Sequence, residues 1–258
     1  MKKQLIAFDL DGTLAPSKSL LPDEMAELIN ALLGKYQVCV ISGGKYQLFE
    51  LQVLSQITKD PRFLTKLHLM PTSGTRYYVY DYSKKNWVQK YAEDFTSAQK
   101  KKITKALEEG LKESGYQTDK TYGDTIEDRD SQITLSILGQ EIVAELGEEG
   151  LRIKEAWDPD GKKKLKIRSI VASKIPEFNV RAAGATSIDV TRLGIDKAYG
   201  MNKLMQKTGL KKEDILFMGD KIIPGGNDFA VEQMGIDCVS VRDWRDTANA
   251  IRAILAAG

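Results

Sequence analysis

Leu5-Ile6-Ala7-Phe8 is wholly apolar and stops at Asp9. Residues 37–41 and 214–218 repeat the pattern, giving way to Ser42-Gly43-Gly44 and Gly219-Asp220. Short apolar runs that end in polar or glycine-rich loops predict strands buried on both faces, as in a parallel sheet. Between the first two, residues 22–33 place Met25, Leu28, Ile29, Leu32 and Leu33 at helical spacing, with Gly34 as the stop. After the third, residues 227–234 predict a helix, 237–241 a strand and 247–257 a closing helix. This alternation at both ends implies an α/β fold with a Rossmann-like, doubly wound parallel-sheet core.

The middle of the chain reads differently. Residues 96–114 predict a long helix and 161–173 a second amphipathic helix with a lysine-rich start. Residues 132–138, with alternating Ile133, Leu135 and Ile137, and residues 179–182 predict strands. The expected division is a core of residues 1–82 and 186–258 with an inserted α+β cap domain of residues 83–185. Tyr77, Tyr78, Tyr80 and Tyr82 suggest a hairpin near the first hinge.

The bulk properties exclude several classes of function. With 258 residues, 42% of them hydrophobic, the chain can bury a substantial core. A formal charge of only +2 provides no global field for nucleic acid or a membrane surface, so neither is expected as a partner. No apolar run approaches the roughly 20 residues needed to cross a bilayer. The apolar stretch after Met1-Lys2-Lys3 is too short for a secretory signal, so a cytoplasmic location is expected. Cys39 and Cys238 lie in apolar runs and read as reduced core residues. The lone His68 has no partner constellation and reads as structural. Lys100 to Lys102 and Lys162 to Lys164 read as solvated faces.

Four loops carry the residues of chemical interest. Asp9 and Asp11 close the first strand, and carboxylates two apart on an extended chain point to the same side. Such a pair suits a metal and an electrophilic phosphorus, Asp9 offering an oxygen to each and Asp11 moving the proton. The competing reading is an acidic Asp-Gly turn. Ser42-Gly43-Gly44 supplies a hydroxyl and free N–H groups for phosphate oxygens, or merely an N-cap. Lys197 precedes an apparent helix, where it can neutralise a transferring phosphoryl group or simply be solvated. The loop of residues 219–228, Gly-Asp-Lys-Ile-Ile-Pro-Gly-Gly-Asn-Asp, has carboxylates at both ends of a glycine-rich turn, as an oxygen-ligated metal site needs.

Taken in order, Asp9-Leu10-Asp11-Gly12-Thr13, Ile41-Ser42-Gly43-Gly44, Lys197 and the 219–228 loop resemble the four motifs of the haloacid dehalogenase-like superfamily. The insertion resembles its second-type α/β cap, and the spelling of the last loop is similar to that of the eukaryotic-type phosphomannomutase branch. The resemblance implies Asp9 as nucleophile, Asp11 as acid/base, and Ser42, Gly43 and Lys197 as phosphate contacts. It implies Mg2+ held by Asp9, the Asp11 carbonyl, Asp220 and Asp228, with Asn227 supporting the loop. On the cap it implies Arg129, Arg181, Ser187 and Asp189 as substrate contacts, with a surface salt bridge the alternative for the arginines. Gln140 stands where that branch has an arginine. The implied activity is hydrolysis of a small phosphorylated metabolite, a sugar phosphate, through an aspartyl-phosphate. A hexose phosphate mutase is the alternative, and a non-catalytic binding protein on the same fold is a third reading. The resemblance also carries the expectation of a homodimer formed through the cap.

Overall fold

A computed structural model describes residues 3–257. The chain runs through β1 (Leu5–Phe8), α1 (Asp23–Lys35), β2 (Gln37–Ile41), α2 (Tyr46–Phe49), α3 (Pro61–Leu64), β3 (Leu67–Met70) and the hairpin β4 (Arg76–Asp81) and β5 (Asn86–Ala92). It continues through α4 (Ser97–Ser114), β6 (Ile126–Asp128), β7 (Ile133–Ser136), α5 (Ile142–Leu146), α6 (Glu148–Trp157), α7 (Lys162–Lys174), β8 (Phe178–Ala183) and β9 (Ser187–Arg192). It returns through α8 (Lys197–Thr208), β10 (Ile215–Gly219), α9 (Phe229–Gln233), β11 (Asp237–Ser240) and α10 (Trp244–Ala257). These elements form two compact units, one of residues up to Ala92 and from Ile195, the other Glu93–Gly194.

The first unit is a seven-stranded sheet of order β11-β10-β1-β2-β3-β4-β5. The five strands from β11 to β3 are mutually parallel, β4 pairs antiparallel with β3, and β5 pairs antiparallel with β4. Period-two alternation distributes the side chains of the parallel strands. Ile6, Phe8, Val38, Val40, Leu67, Leu69 and Met218 belong to the core shared with α1 and α10. Leu5, Ala7, Cys39, Ile41, Ile215 and Phe217 face Met201 and Leu204 of α8 and Val231 of α9. The sheet is thus doubly wound, as expected. The central strand β1 has β2 on one side and β10 on the other, a switch point at which such folds bind ligands beyond the carboxyl ends of the strands.

The second unit is an antiparallel sheet of order β6-β7-β9-β8, with one apolar face. Ile133, Leu135, Val180, Ile188 and Val190 pack with Ile103 and Leu107 of α4 and Ile167 and Val171 of α7. Helix α4 begins with a capping box of Thr96 and Gln99 and ends at Gly115, whose φ of 76° suits glycine. The lysine-rich start of α7 opposes the helix dipole, and Asp158 compensates: its two carboxylate oxygens accept from the N–H groups of Lys163 and Lys164, each at 3.0 Å.

Three expectations change. The units divide at 92/93 and 194/195 rather than at 82 and 186, because β5 pairs with β4 in the large sheet and β9 pairs with both β7 and β8 in the small one. Helix α1 runs through Gly34 to Lys35, and its last turn closes by a bond from the Tyr36 N–H to the Leu32 carbonyl. Strand β3 joins the parallel sheet although the sequence reading assigned none there. Its His68 is accommodated because Nδ1 lies 2.7 Å from the Tyr77 hydroxyl and Nε2 lies 2.8 Å from Gln37 Oε1. Burial pushes His68 down to about 4, as befits a neutral structural ring.

One close approach positions the chemistry. A Cβ on Gly200 would lie 2.8 Å from the Ser73 carbonyl oxygen and also crowd Ile41, so the first turn of α8 seats only on glycine. Gly200→Ala gains roughly 1 kcal/mol of helix propensity, but overpacking costs about 1–3 kcal/mol. Steric cost should win, and urea unfolding is expected to show a net loss.

Candidate active site

Asp9 follows β1 directly, and its N–H donates to the Met218 carbonyl of β10 at 3.0 Å, continuing the ladder one residue beyond the strand. The next residues fold back tightly. Gly12, with φ of 86°, donates its N–H to the Ala15 carbonyl at 2.7 Å. A Cβ on Gly12 would sit 2.7 Å from Asp220 Oδ2, so glycine here lets the loops after β1 and β10 meet. Gly219 serves the same end, since a side chain there would collide with the Asp228 carboxylate.

The three carboxylates of Asp9, Asp220 and Asp228 each offer an oxygen within 4.8 Å of the others. Lys197, the first residue of α8, reaches among them. Asp196 caps that helix by accepting from the Tyr199 N–H at 2.8 Å. Lys197 Nζ lies 2.5 Å from Asp9 Oδ1 and also pairs with Asp228 Oδ1. Asp228 is fully buried, and its second oxygen accepts from the Lys221 N–H at 3.1 Å, closing the 219–228 loop on itself. Asn227, the neighbouring expected support, is exposed.

Burial dominates the electrostatics. It pushes Asp9 up to about 7 against the pull of the Lys197 ammonium, with Asp228 and Asp11 adding to the rise. Asp220 is raised mainly by its own burial. Burial alone would lower Lys197, yet Asp9 and Asp228 more than reverse this and leave it above its ordinary value. Three carboxylates surround one ammonium, an imbalance of two negative charges when all are ionised. Asp220 Oδ1 is buried without a hydrogen-bond partner. An all-oxygen set, two excess negative charges and an orphaned buried oxygen fit a hard divalent cation such as magnesium.

Ser42 stands at the same edge, immediately after β2. Its carbonyl accepts from the Ser73 N–H at 2.9 Å, and its Oγ accepts from the Gly44 N–H at 3.3 Å, so the turn through half-buried Gly43 is tied at both ends. Asp11 is partly exposed, and its Oδ1 accepts from the Lys18 N–H at 2.6 Å. Lys18 adopts φ of 57°, rare for a side-chain-bearing residue. The sequence reading missed this partner, because nothing in Pro16-Ser17-Lys18 announces a left-handed lysine.

Of the expected insertion residues, Arg181 lies on β8 and Ser187 and Asp189 on β9, while Arg129 directly follows β6 in the turn to β7. Glu127, Thr134, Asp189 and Arg181 form one cross-strand row by register. Asp189 Oδ1 accepts from the Thr134 hydroxyl at 2.7 Å, and burial raises its carboxyl against the pull of Arg129. Arg129 pairs with Glu127 Oε2 at 2.8 Å, with its side chain only 10% exposed, so it is a largely buried pair rather than a surface salt bridge. Arg181 is exposed on β8, and half-buried Ser187 opens β9. Gln140 follows β7, its N–H donating to the Asp124 carbonyl at 3.0 Å. Glu127 and Thr134 were the partners the sequence reading did not name.

A family model described as haloacid dehalogenase-like hydrolase matches residues 6–229. Among curated relatives, a phosphomannomutase of Encephalitozoon cuniculi is 26% identical over 95% of this chain and 91% of its own length. Phosphomannomutase 1 of Homo sapiens is 25% identical over 89% of this chain and 83% of its own. Among solved structures, a haloacid dehalogenase-like hydrolase from Bacteroides thetaiotaomicron superposes with a TM-score of 0.64 at 15% identity, covering 98% of this chain and 100% of that one. An IMP-bound, N-terminally truncated IMP-nucleotidase of Plasmodium falciparum gives 0.63 at 15% identity, over 99% of this chain and 68% of its own. With the family match spanning all but the ends of the chain, and both superpositions agreeing on the fold, the chain belongs to the haloacid dehalogenase-like hydrolases.

Proposed function

We propose that the chain is a magnesium-dependent phosphohydrolase acting on a small phosphorylated metabolite, with sugar phosphates as the substrate class. The observation that carries this reading is the buried cluster in which Lys197 bridges Asp9 and Asp228 beside Asp220. Asp9 attacks phosphorus in line and becomes the aspartyl-phosphate. Lys197 balances the charge of the nucleophile and of the transferring group, and Ser42 Oγ with the Gly43 N–H receives its oxygens. Asp11, steadied at Oδ1 by Lys18, protonates the leaving oxygen through its other carboxylate oxygen and then takes the proton of the attacking water. Magnesium held by Asp9, Asp220, Asp228 and the Asp11 carbonyl would neutralise the converging negative charge. Arg129, Arg181, Ser187 and Asp189 are assigned to substrate recognition on the insertion. A cytoplasmic setting and a homodimer through the insertion belong to the same reading; among the described residues, no helix is long and apolar enough to cross a membrane.

A mutase is the second reading, favoured by relatives named phosphomannomutases that match most of the chain. Gln140 favours hydrolysis, because a neutral amide cannot give a second phosphate the charge-assisted grip of a guanidinium. Incubation with mannose 1-phosphate, a hexose bisphosphate activator and Mg2+ separates the two. Free phosphate should accumulate faster than mannose 6-phosphate, and chelation should stop it. Faster mannose 6-phosphate would establish the mutase.

A further inference from the structure

The parallel strands have two ends, and only the carboxyl end is used by the carboxylates described above. At the amino end, where the chain enters β1, β2 and β3, lies a cavity of about 490 Å³ lined by Lys3, Gln4, Lys35, Gln37, Thr65 and Lys66, with Tyr36 beside them. The whole of β1 separates Gln4 from Asp9, so at about 3.3 Å per residue the cavity stands roughly 16 Å from Asp9.

The lining brings three ammonium groups together, and the carboxylates beside it, Asp237 and Asp214, are engaged by Lys3 Nζ and by the Gln4 amide, the latter at 2.6 Å. Lys3 is the most committed of them, with Nζ 2.5 Å from Asp237 Oδ2 and 2.8 Å from the Glu213 carbonyl. Lys35 and Lys66 are held differently. Lys35 Nζ donates to the Leu255 carbonyl near the end of α10 at 3.0 Å, and Lys66 Nζ donates to the Gly34 carbonyl in the last turn of α1 at 3.4 Å. An ammonium group has three donors. These carbonyl contacts therefore tether both side chains at helix C-terminal turns while leaving each with donor capacity and its full charge. Of the neutral groups around them, the Thr65 hydroxyl donates to the Arg62 carbonyl at 3.0 Å and Gln37 Oε1 is engaged by His68, so the Gln37 amide N–H groups are the neutral donors that remain. Two tethered cations, the Gln37 amide and a volume within the ordinary range of ligand sites describe an anion receptor.

We propose that this cavity is a second binding site, taking a small phosphate-class polyanion through Lys35 and Lys66, separate from the catalytic carboxylates. The proposal does not rest on the hydrolase reading, since it concerns the opposite end of the sheet.

Pyrophosphate is the probe, titrated calorimetrically into the full chain in EDTA, where the excess negative charge of Asp9, Asp220 and Asp228 over Lys197 disfavours anions at the catalytic end. One pyrophosphate per chain is expected. Lys35→Gln with Lys66→Gln should weaken it by about tenfold or more, whereas the corresponding double arginine variant should stay within about threefold. Lys66→Gln alone, which gives up only the longer carbonyl contact, serves as a second variant should the double one unfold, and should weaken binding in the same direction. Turnover with Mg2+ and without pyrophosphate should be unaltered in the glutamine variants. Absence of binding in EDTA would overturn the proposal, as would binding undiminished by the glutamine variants. Binding that responds to Asp220→Asn instead would place the anion at the catalytic end and equally refute it.

Discussion

Asp9→Asn is expected to reduce turnover by about a thousandfold or more and, at the same time, to raise the melting temperature of the metal-free protein at neutral pH. Loss of the nucleophile accounts for the first effect. The second follows from burial, which pushes Asp9 up to about 7 from an ordinary 3.8. A carboxyl raised in the folded state contributes stability that is full below the unfolded value and lost as pH climbs through the folded one. Wild-type stability attributable to Asp9 should therefore fall between about pH 4 and pH 7, and asparagine removes that decline. Lys197 keeps Asp228 as its partner in the variant, so the ammonium is not stranded. The expected gain at pH 8 is about 1–4 kcal/mol, the scale seen when buried ionic groups are replaced by neutral ones, or several degrees of melting temperature. Thermal unfolding in EDTA at pH 4.5 and pH 8, with phosphate-release assays in Mg2+, checks both halves. Unchanged turnover would remove Asp9 as the nucleophile. An equal gain at both pH values would show that its burial is not the source of the stabilisation.

Lys197→Met should have the opposite effect on stability and the same effect on turnover. Its side chain is 2% exposed and touches two carboxylates. Removing the cation leaves Asp9 and Asp228 facing each other in the interior, and breaking a buried pair from one side costs about 3–5 kcal/mol. The sign reverses relative to Asp9→Asn because one substitution relieves the excess negative charge and the other enlarges it. Urea unfolding of the metal-free protein measures the loss. The double variant Asp9→Asn with Lys197→Met should recover part of it, because one of the two stranded charges is gone. A double variant less stable than Lys197→Met alone would contradict this account of the cluster.

Strands β1, β2 and β10 were legible because each is an apolar run cut off by an aspartate, a serine-glycine turn or a glycine-aspartate step. Local pattern suffices where a strand is buried on both faces. It failed at β3, where His68 interrupts the run and is satisfied only by Gln37 and Tyr77 from neighbouring strands. It failed again at β9, whose place is decided by pairing with β7 and β8. The same limit applies to the arginines of the insertion. Arg129 is a conspicuous cation in the sequence, but Glu127 at the centre of β6 pairs with it and ties it to the cross-strand polar row.

The sequence by itself determined which residues could be reactive, because Asp9, Asp11, Ser42, Lys197, Asp220 and Asp228 each end or follow a recognisable apolar strand or open a helix. It also determined the α/β class, since helix and strand periods are local properties of the chain. Only the tertiary structure decided what those residues are to one another. It buried Asp9 far enough to raise its carboxyl, set Lys197 between Asp9 and Asp228, left Asp220 Oδ1 without a partner, and turned Lys18 so that its N–H steadies Asp11. Desolvation and charge pairing depend on groups brought together from both ends of the chain, and no local pattern encodes that distance.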